Sequence, residues 1–233
     1  IPLKKNSTHL MACSNAAAEF WYGKNSVSKD EVYILNNAID LEKFQYSLNT
    51  REKVRKELSI SDKFIIGHVG RFNEPKNHEF LIEIFIEILK RDKNSLLMLV
   101  GEGPLRNNIE EMVIENEIED KVLFLGARDD VDNLLQAMDV LLLPSLHEGL
   151  PVIGVEAQAA GLPCIISDTV TKEIVLTELV RFCSLYTHPR EWADIVLQTK
   201  EFDKRPNTIK NITEEGYNIK SESHKLEEFY LSL

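Results

Sequence analysis

Short apolar runs alternate with helical patterns through the middle of the chain. The first run, Phe64-Ile65-Ile66-Gly67-His68-Val69-Gly70, reads as a strand. Phe80, Leu81, Ile84, Phe85, Ile88 and Leu89 then recur on one face at helical spacing. That helix is expected from about Asn77, its cap, with Glu79 in its first turn and Lys90 and Arg91 at its end, as the helix dipole favours. Leu96-Leu97-Met98-Leu99-Val100 follows and stops at Gly101-Glu102-Gly103-Pro104. A polar helix to about Asn116 leads to Val122-Leu123-Phe124-Leu125-Gly126, a short helix from about Val131, and Val140-Leu141-Leu142-Leu143-Pro144. A helix over 151–160 has Pro151 in its first turn and Gly161 just past its end. Cys164-Ile165-Ile166-Ser167 is the last clear strand. Continuous apolar runs of this length suit strands covered on both faces. Their alternation with helices predicts an α/β fold built on a doubly wound, Rossmann-like parallel sheet.

Outside this region the pattern is weaker. Val180 to Cys183 is a further short strand, and Glu191 to Thr199 a helix with Trp192, Ile195 and Val196 on one side. Residues 201–211 are polar, contain Pro206, and read as a loop or linker. Ser221 to Leu233 is a final helix with Leu226, Phe229, Tyr230 and Leu233 as its apolar stripe. The first forty residues contain a strand-like stretch at His9 to Cys13, a helix-like one at Ala16 to Tyr22 and a second strand at Val32 to Leu35. This single β-α-β unit is too small for a core of its own. It either leans on the main sheet or is the stub of another domain.

Composition narrows the function classes. Asp and Glu number 38 against 27 Lys and Arg, for a net charge of −11, which argues against a nucleic-acid partner, since such binding relies on a basic footprint. The hydrophobic share of 43% is that of a globular chain. No apolar stretch approaches the ~20 residues of a membrane span. Cys13, Cys164 and Cys183 are odd in number, far apart and set among small or apolar neighbours, and read as buried reduced thiols of a cytoplasmic protein. No His/Cys spacing suggests a metal. No G-x-S-x-G element or P-loop occurs, and Gly101-Glu102-Gly103 does not continue to the third glycine of the dinucleotide fingerprint. No signal segment opens the chain, and its start at Ile1 suggests that an N-terminal part is missing.

In open parallel sheets, ligands bind at the carboxyl ends of the strands. That rule selects the loops at 70–76, 101–104, 126–130, 145–150 and 167–169. Arg71 and Lys76 flank the first and could neutralise a diphosphate, or be incidental cations of a solvated loop. Gly149-Leu150-Pro151-Val152 opens a helix whose free N–H groups form a second anion site. Glu148 lies just before that helix and Glu156 inside it, amid apolar and small residues. A carboxylate so placed needs a partner, such as ribose hydroxyls or a neighbouring Arg, unless it is partly exposed. Asp130-Val131-Asp132 spells the metal-binding triplet of another class of sugar-transfer enzymes, but adjacent acids at a helix start are as a rule caps and first-turn residues. His147 faces a substrate or is simply polar surface.

Taken together, Gly70-Arg71 with Lys76, Val100-Gly101-Glu102-Gly103-Pro104, Phe124-Leu125-Gly126 and Pro144 to Pro151, continuing through Glu156-Ala157 to Ala160-Gly161-Leu162-Pro163, closely resemble family 4 of the retaining glycosyltransferases, the group 1 enzymes of two-domain GT-B fold. Glu148 and Glu156, seven residues between them, match that family's E-x7-E motif. The wording from Glu148 to Ser167 is most similar to bacterial capsular and exopolysaccharide enzymes. The resemblance implies that Arg71 and Lys76 grip the donor diphosphate, with Gly70, Gly101, Glu102 and Gly126 lining the donor site. It implies that His147, Gly149, Leu150, Pro151 and Val152 lie at the sugar or distal phosphate, with Glu148 on the sugar hydroxyls. Glu156 would meet the ribose, and Arg128 and Val131 the base. The implied substrate is a nucleotide-diphosphate sugar, a UDP-sugar by resemblance, with no metal or other cofactor required. The implied acceptor is a glycan or polyprenyl-linked glycan, with peripheral association at the inner face of the cell membrane. In this scheme residues 1–40 are a remnant of the N-terminal acceptor domain, 41–215 the nucleotide-sugar-binding domain and C-terminal half of the GT-B fold, and 216–233 a crossover helix. Asn36-Asn37 departs from the family's usual Asn-Gly at the interdomain turn. Two other readings compete, a nucleotide-sugar epimerase of the same fold and a non-catalytic nucleotide-sugar-binding or interaction module. A nicotinamide dehydrogenase is disfavoured by the missing glycine fingerprint.

Overall fold

A computed structural model describes residues 6–27, 31–202 and 204–233. In chain order these form β1 (Met11–Ala12), α1 (Asn15–Tyr22), β2 (Tyr33–Ile34), α2 (Leu41–Phe44), α3 (Leu48–Glu57), β3 (Phe64–Val69), α4 (His78–Leu89) and β4 (Ser95–Val100). They continue as α5 (Arg106–Glu115), β5 (Val122–Phe124), α6 (Val131–Ala137), β6 (Val140–Leu143), α7 (Val152–Ala159), β7 (Cys164–Ser167), β8 (Val180–Cys183), α8 (Pro189–Gln198), α9 (Ile209–Glu214) and α10 (Ile219–Leu231). Among the described residues the strands make two parallel sheets, a two-stranded β1-β2 pair and a six-stranded sheet in the order β5-β4-β3-β6-β7-β8. The chain winds outward from β3 to β5, then returns to the middle and winds outward again from β6 to β8. The order therefore reverses between β3 and β6, the point where such sheets open a crevice.

The continuous apolar runs follow from burial of both faces. Along β3 and β4 alternate side chains enter opposite cores, because successive residues of a strand point to opposite faces. Ile65, Met98 and Val100 pack with α3, α6 and α7, whereas Phe64, Ile66, Leu97 and Leu99 pack with α4, α5 and α8.

Several expectations change in detail. Asn77 stands at the start of α4 but is left-handed, at φ 55°, and does not cap; its side-chain amide donates instead to the Pro144 carbonyl at 3.0 Å. Pro151 is the residue before α7 rather than part of its first turn. Cys13 is exposed, since the two-residue strand beside it is only half covered, whereas Cys164 and Cys183 are buried. The polar stretch 201–211 is no free linker, because Arg205 is anchored to the carbonyls of Leu135, Gln136, Met138 and Ala160. Phe229 of α10 packs on His9 and Tyr33 at ring separations of 5.3 Å, so the last helix returns to the β1-β2 unit. Tyr230 and Leu233 of the expected stripe stay exposed. No helix among the described residues is long and apolar enough to cross a membrane.

Candidate active site

The loops leaving β3 and β4 are stitched backbone to backbone. Gly70 N–H donates to the Val100 carbonyl at 2.9 Å, Phe72 N–H to that of Glu102 at 3.0 Å, and Gly101 N–H to that of Gly126 at 2.8 Å. At Gly101, φ is 140° and a Cβ would stand 2.0 Å from the Gly70 oxygen. A Cβ at Gly103 would meet the Phe72 backbone at 2.4 Å. Glycine is needed at both because main chain meets main chain there, which no rotamer change can relieve.

The loop after β6 is tied to this floor. Leu146 N–H donates to the Pro75 carbonyl at 2.8 Å, and the Ser145 carbonyl accepts from the Ser167 and Thr169 hydroxyls at 2.6 and 2.8 Å. Between the two loops the Lys76 ammonium donates to both oxygens of Glu148 at 2.8 Å. The Ser145 hydroxyl adds a bond to the same carboxylate at 2.5 Å. Lys76 and Glu148 are 17% and 14% exposed at their side chains, so their attraction is poorly screened. The two residues therefore meet, as a pair that closes on itself in this structure. The sequence does not single out Ser145 or Thr169, because a hydroxyl beside a charged loop is too common a signal.

Arg71, next to Gly70, is exposed and has no ion pair among those seen in the described residues. A Cβ at Gly70 would lie 3.0 Å from Lys76 Cε, which puts Lys76 at the same strand end as Arg71. Helix α7 begins with no side-chain cap after Pro151, and Val152 and Glu156 are half-buried. Gly149 has nothing within 4 Å of where its Cβ would be, so the approach to this helix start is open. His147 and Gly149 are exposed, and Leu150 is half-buried. Among the described residues no hydrogen bond or ion pair is seen at the Glu156 carboxylate. Burial raises its pKa, with Lys43 pulling it down and Asp132 pushing it up to lesser degrees. Lys43 itself pairs with Asp132 at 3.5 Å.

The other expected residues are committed locally. Glu102 pairs with Arg106, which also bonds Glu110 at 2.7 Å. Arg128 forks onto both oxygens of Asp130 at 2.7 Å, and this bond holds the Asp130 carboxyl below its usual range. Asp130 precedes α6 without capping it, and Asp132 lies in its first turn.

Beneath the first loop lies a feature the apolar patterning concealed. His68 and His78 are buried and meet edge to face at 4.7 Å, and His78 stacks on Phe72 at 4.2 Å. His68 Nδ1 lies 2.8 Å from the Leu142 carbonyl and so carries the proton. Its Nε2 and both His78 nitrogens have no hydrogen-bond partner.

An open doubly wound sheet that collects its charges and an uncapped helix start at the switch point is the architecture of nucleotide-binding α/β domains. More narrowly, the chain belongs to the group 1 glycosyl transferases, whose family profile matches residues 49–218. EpsF of Bacillus subtilis (strain 168), which bears a glycosyltransferase name, is 42% identical over 170 residues, 72% of this chain and 44% of EpsF. An Escherichia coli UDP-Gal:alpha-D-GlcNAc-diphosphoundecaprenol alpha-1,3-galactosyltransferase is 33% identical over 168 residues, 70% of this chain and 43% of that enzyme. The chain thus spans less than half the length of these relatives. In fold it is similar to Anabaena Alr3699/HepE, solved with UDP and glucose, with a TM-score of 0.80 at 19% identity over 99% of this chain and 64% of that one. The six-stranded parallel sheet is that of GT-B glycosyltransferases.

Proposed function

We propose that this chain is the donor-binding part of a retaining hexosyltransferase. It takes a hexosyl group from a nucleotide-diphosphate sugar, a UDP-sugar, and passes it to a glycan or lipid-linked acceptor in surface polysaccharide synthesis. The observation that carries this reading is the Lys76–Glu148 pair bridging the two loops of the switch point beside the uncapped start of α7. A donor offers each half of the pair a new partner: phosphate oxygens for Lys76, sugar hydroxyls for Glu148. Arg71 joins Lys76 on the diphosphate. Breaking the bond from anomeric carbon to phosphate leaves negative charge on the diphosphate and oxocarbenium character on the sugar. Cations and helix-end N–H groups already fixed in place stabilise that charge without reorganising. In the family's usual scheme the departing phosphate takes the acceptor's proton on the same face, which retains configuration. Glu156, without a hydrogen-bond or ion-pair partner among the described residues, receives the ribose hydroxyls, and Arg128 and Val131 flank the base. Gly70, Gly101, Glu102 and Gly126 line the floor, and His147, Gly149, Leu150, Pro151 and Val152 the sugar side.

The name of the Escherichia coli relative, with its UDP-Gal donor and lipid diphosphate acceptor, supports this choice of substrates. UDP and glucose in the Anabaena structure support the nucleotide. The acceptor groove belongs to an N-terminal domain of which residues 1–40 are the end, and 216–233 form the helix that crosses back to it. The complete enzyme works at the inner face of the membrane. Calorimetric titration with UDP, GDP and ADP tests the reading. UDP is expected to bind best. Arg71→Ala is expected to weaken it by about tenfold, the scale of one lost charge-assisted hydrogen bond at an exposed side chain. Equal or absent binding of all three nucleotides rejects a donor site. Transfer by the chain alone is expected to be slow or nil.

A further inference from the structure

At the other end of the sheet, where β3, β6 and β7 begin, a cavity of about 740 Å³ opens between α3 and residues 199–202 and 204–205. Among the described residues its walls carry six cationic side chains against two carboxylates, in a chain of net charge −11, and one of the six, Lys200, is already paired with Asp92 at 2.6 Å. Arg51 and Arg55 share the single carboxylate Asp139, which also accepts the Ile65 N–H at 2.7 Å. Arg205 makes no ion pair in the described residues; its fork is spent on backbone carbonyls where α6 and α7 end. A helix end offers roughly half a negative charge, too little to neutralise a guanidinium. The strain shows in the groups themselves: burial, then Arg51, brings the pKa of Arg205 down to about 10. At the mouth, Lys63 donates to the Asn94 side-chain oxygen at 3.0 Å, and Lys204 is exposed. Flat apolar walls stand beside the charges. Tyr46 lies 4.8 Å under Arg205, and Phe202 is 46% exposed.

We infer that this cavity is a second anion site, separate from the switch-point crevice, for a molecule bearing a phosphate group on an organic body. The buried Arg55 and the half-buried Arg51 and Arg205 hold the potential and the mouth lysines make the direct bonds, because the guanidinium N–H groups are already committed to carbonyls and Asp139. The aromatic walls suit an organic body rather than a bare ion. A soluble phosphorylated metabolite and a lipid phosphate headgroup share this chemistry.

Inorganic phosphate titrated into the full chain, followed by backbone amide NMR shifts at ionic strength matched with NaCl, tests the site. Saturable shifts are expected around 61–64 and 199–205. The double variant Lys63→Glu/Lys204→Glu is expected to weaken them at least tenfold, and Arg71→Ala to leave them unchanged. Lys204→Glu alone changes one exposed side chain and is expected to weaken them in the same direction, should the double variant unfold. Sedimentation with phosphatidylglycerol vesicles separates the sources. Binding lost in the double variant assigns a lipid headgroup, and no vesicle binding alongside an intact phosphate response assigns a soluble metabolite. Phosphate no better than chloride, or shifts that ignore both lysine variants, would leave the arginines as helix-end caps only and overturn the site.

Discussion

Glu156 illustrates how a residue unfavourable for folding can be tolerated where a ligand is proposed to bind. Burial raises its pKa, so the native state holds its proton more tightly than the unfolded chain does. Its contribution to stability is present at low pH and is lost as pH rises through the folded pKa. At neutral pH, Glu156→Gln is therefore expected to raise the melting temperature while weakening UDP binding, read by calorimetry on the same protein. A variant that is both less stable and unchanged in affinity would refute both roles. His68 and His78 behave in the opposite sense. Burial first lowers them, to about 4 for His68 and about 2 for His78, with Lys76 adding to both and His68 to His78. The unfolded chain takes up protons near pH 6.5 that the native state refuses. Stability is then full above pH 6.5 and falls as pH drops towards 4, by about 2 kcal/mol per histidine at pH 5. His78→Phe keeps the stack on Phe72 and removes two unpartnered nitrogens. It is expected to stabilise the fold at pH 7 and to halve the acid loss seen in urea titrations at pH 7 and pH 5. An unaltered acid loss would mean that His78 does not stay neutral in the fold. Nothing in the one-dimensional pattern marks either histidine, since His68 sits inside an apolar strand and His78 among polar residues at a helix start, where a histidine reads as surface.

Among elements, strands were easier to read than ends. The runs from Phe64 to Ser167 are apolar on both faces, so their existence followed from composition alone; β1 and β2, half-covered and two residues long, carry a much fainter signal. The charged loops were legible because glycine and cations fall at strand ends, which topology makes a crevice. The pairing of Lys76 with Glu148 was not, because the partners are 72 residues apart. Nor was the end of α6, where Arg51, Arg55 and Arg205 all donate to the last carbonyls. Arg205 arrives from a polar stretch with every appearance of a linker. Arg205→Ala leaves buried carbonyls without donors and is expected to cost about 2–3 kcal/mol in urea unfolding. Arg205→Lys is not expected to restore it, because a single ammonium cannot span the several carbonyls the planar fork reaches. Full recovery by lysine would reduce Arg205 to a charge.

For the whole molecule, the main sheet is well covered, yet large apolar side chains remain in the open. Phe20 is 77% exposed and Trp21 51% on α1; Tyr230 is 62% and Leu231 81% exposed on α10. Exposed apolar groups of this size favour association. Sedimentation velocity is expected to show self-association that grows from micromolar to hundred-micromolar chain, and Tyr230→Glu/Leu231→Glu is expected to diminish it. A concentration-independent sedimentation coefficient in the parent chain would contradict this. The closed Lys76–Glu148 pair has a different consequence at this scale. On the proposed function, an unloaded crevice shows passing anions a neutral pair at Lys76 and Glu148, with the exposed Arg71 beside it. A visitor that brings phosphate on one side and hydroxyls on the other unfastens both halves in a single exchange. On that proposed function, this latch would discriminate by composition before any shape is measured, and favour a glycosylated nucleotide over a spent one.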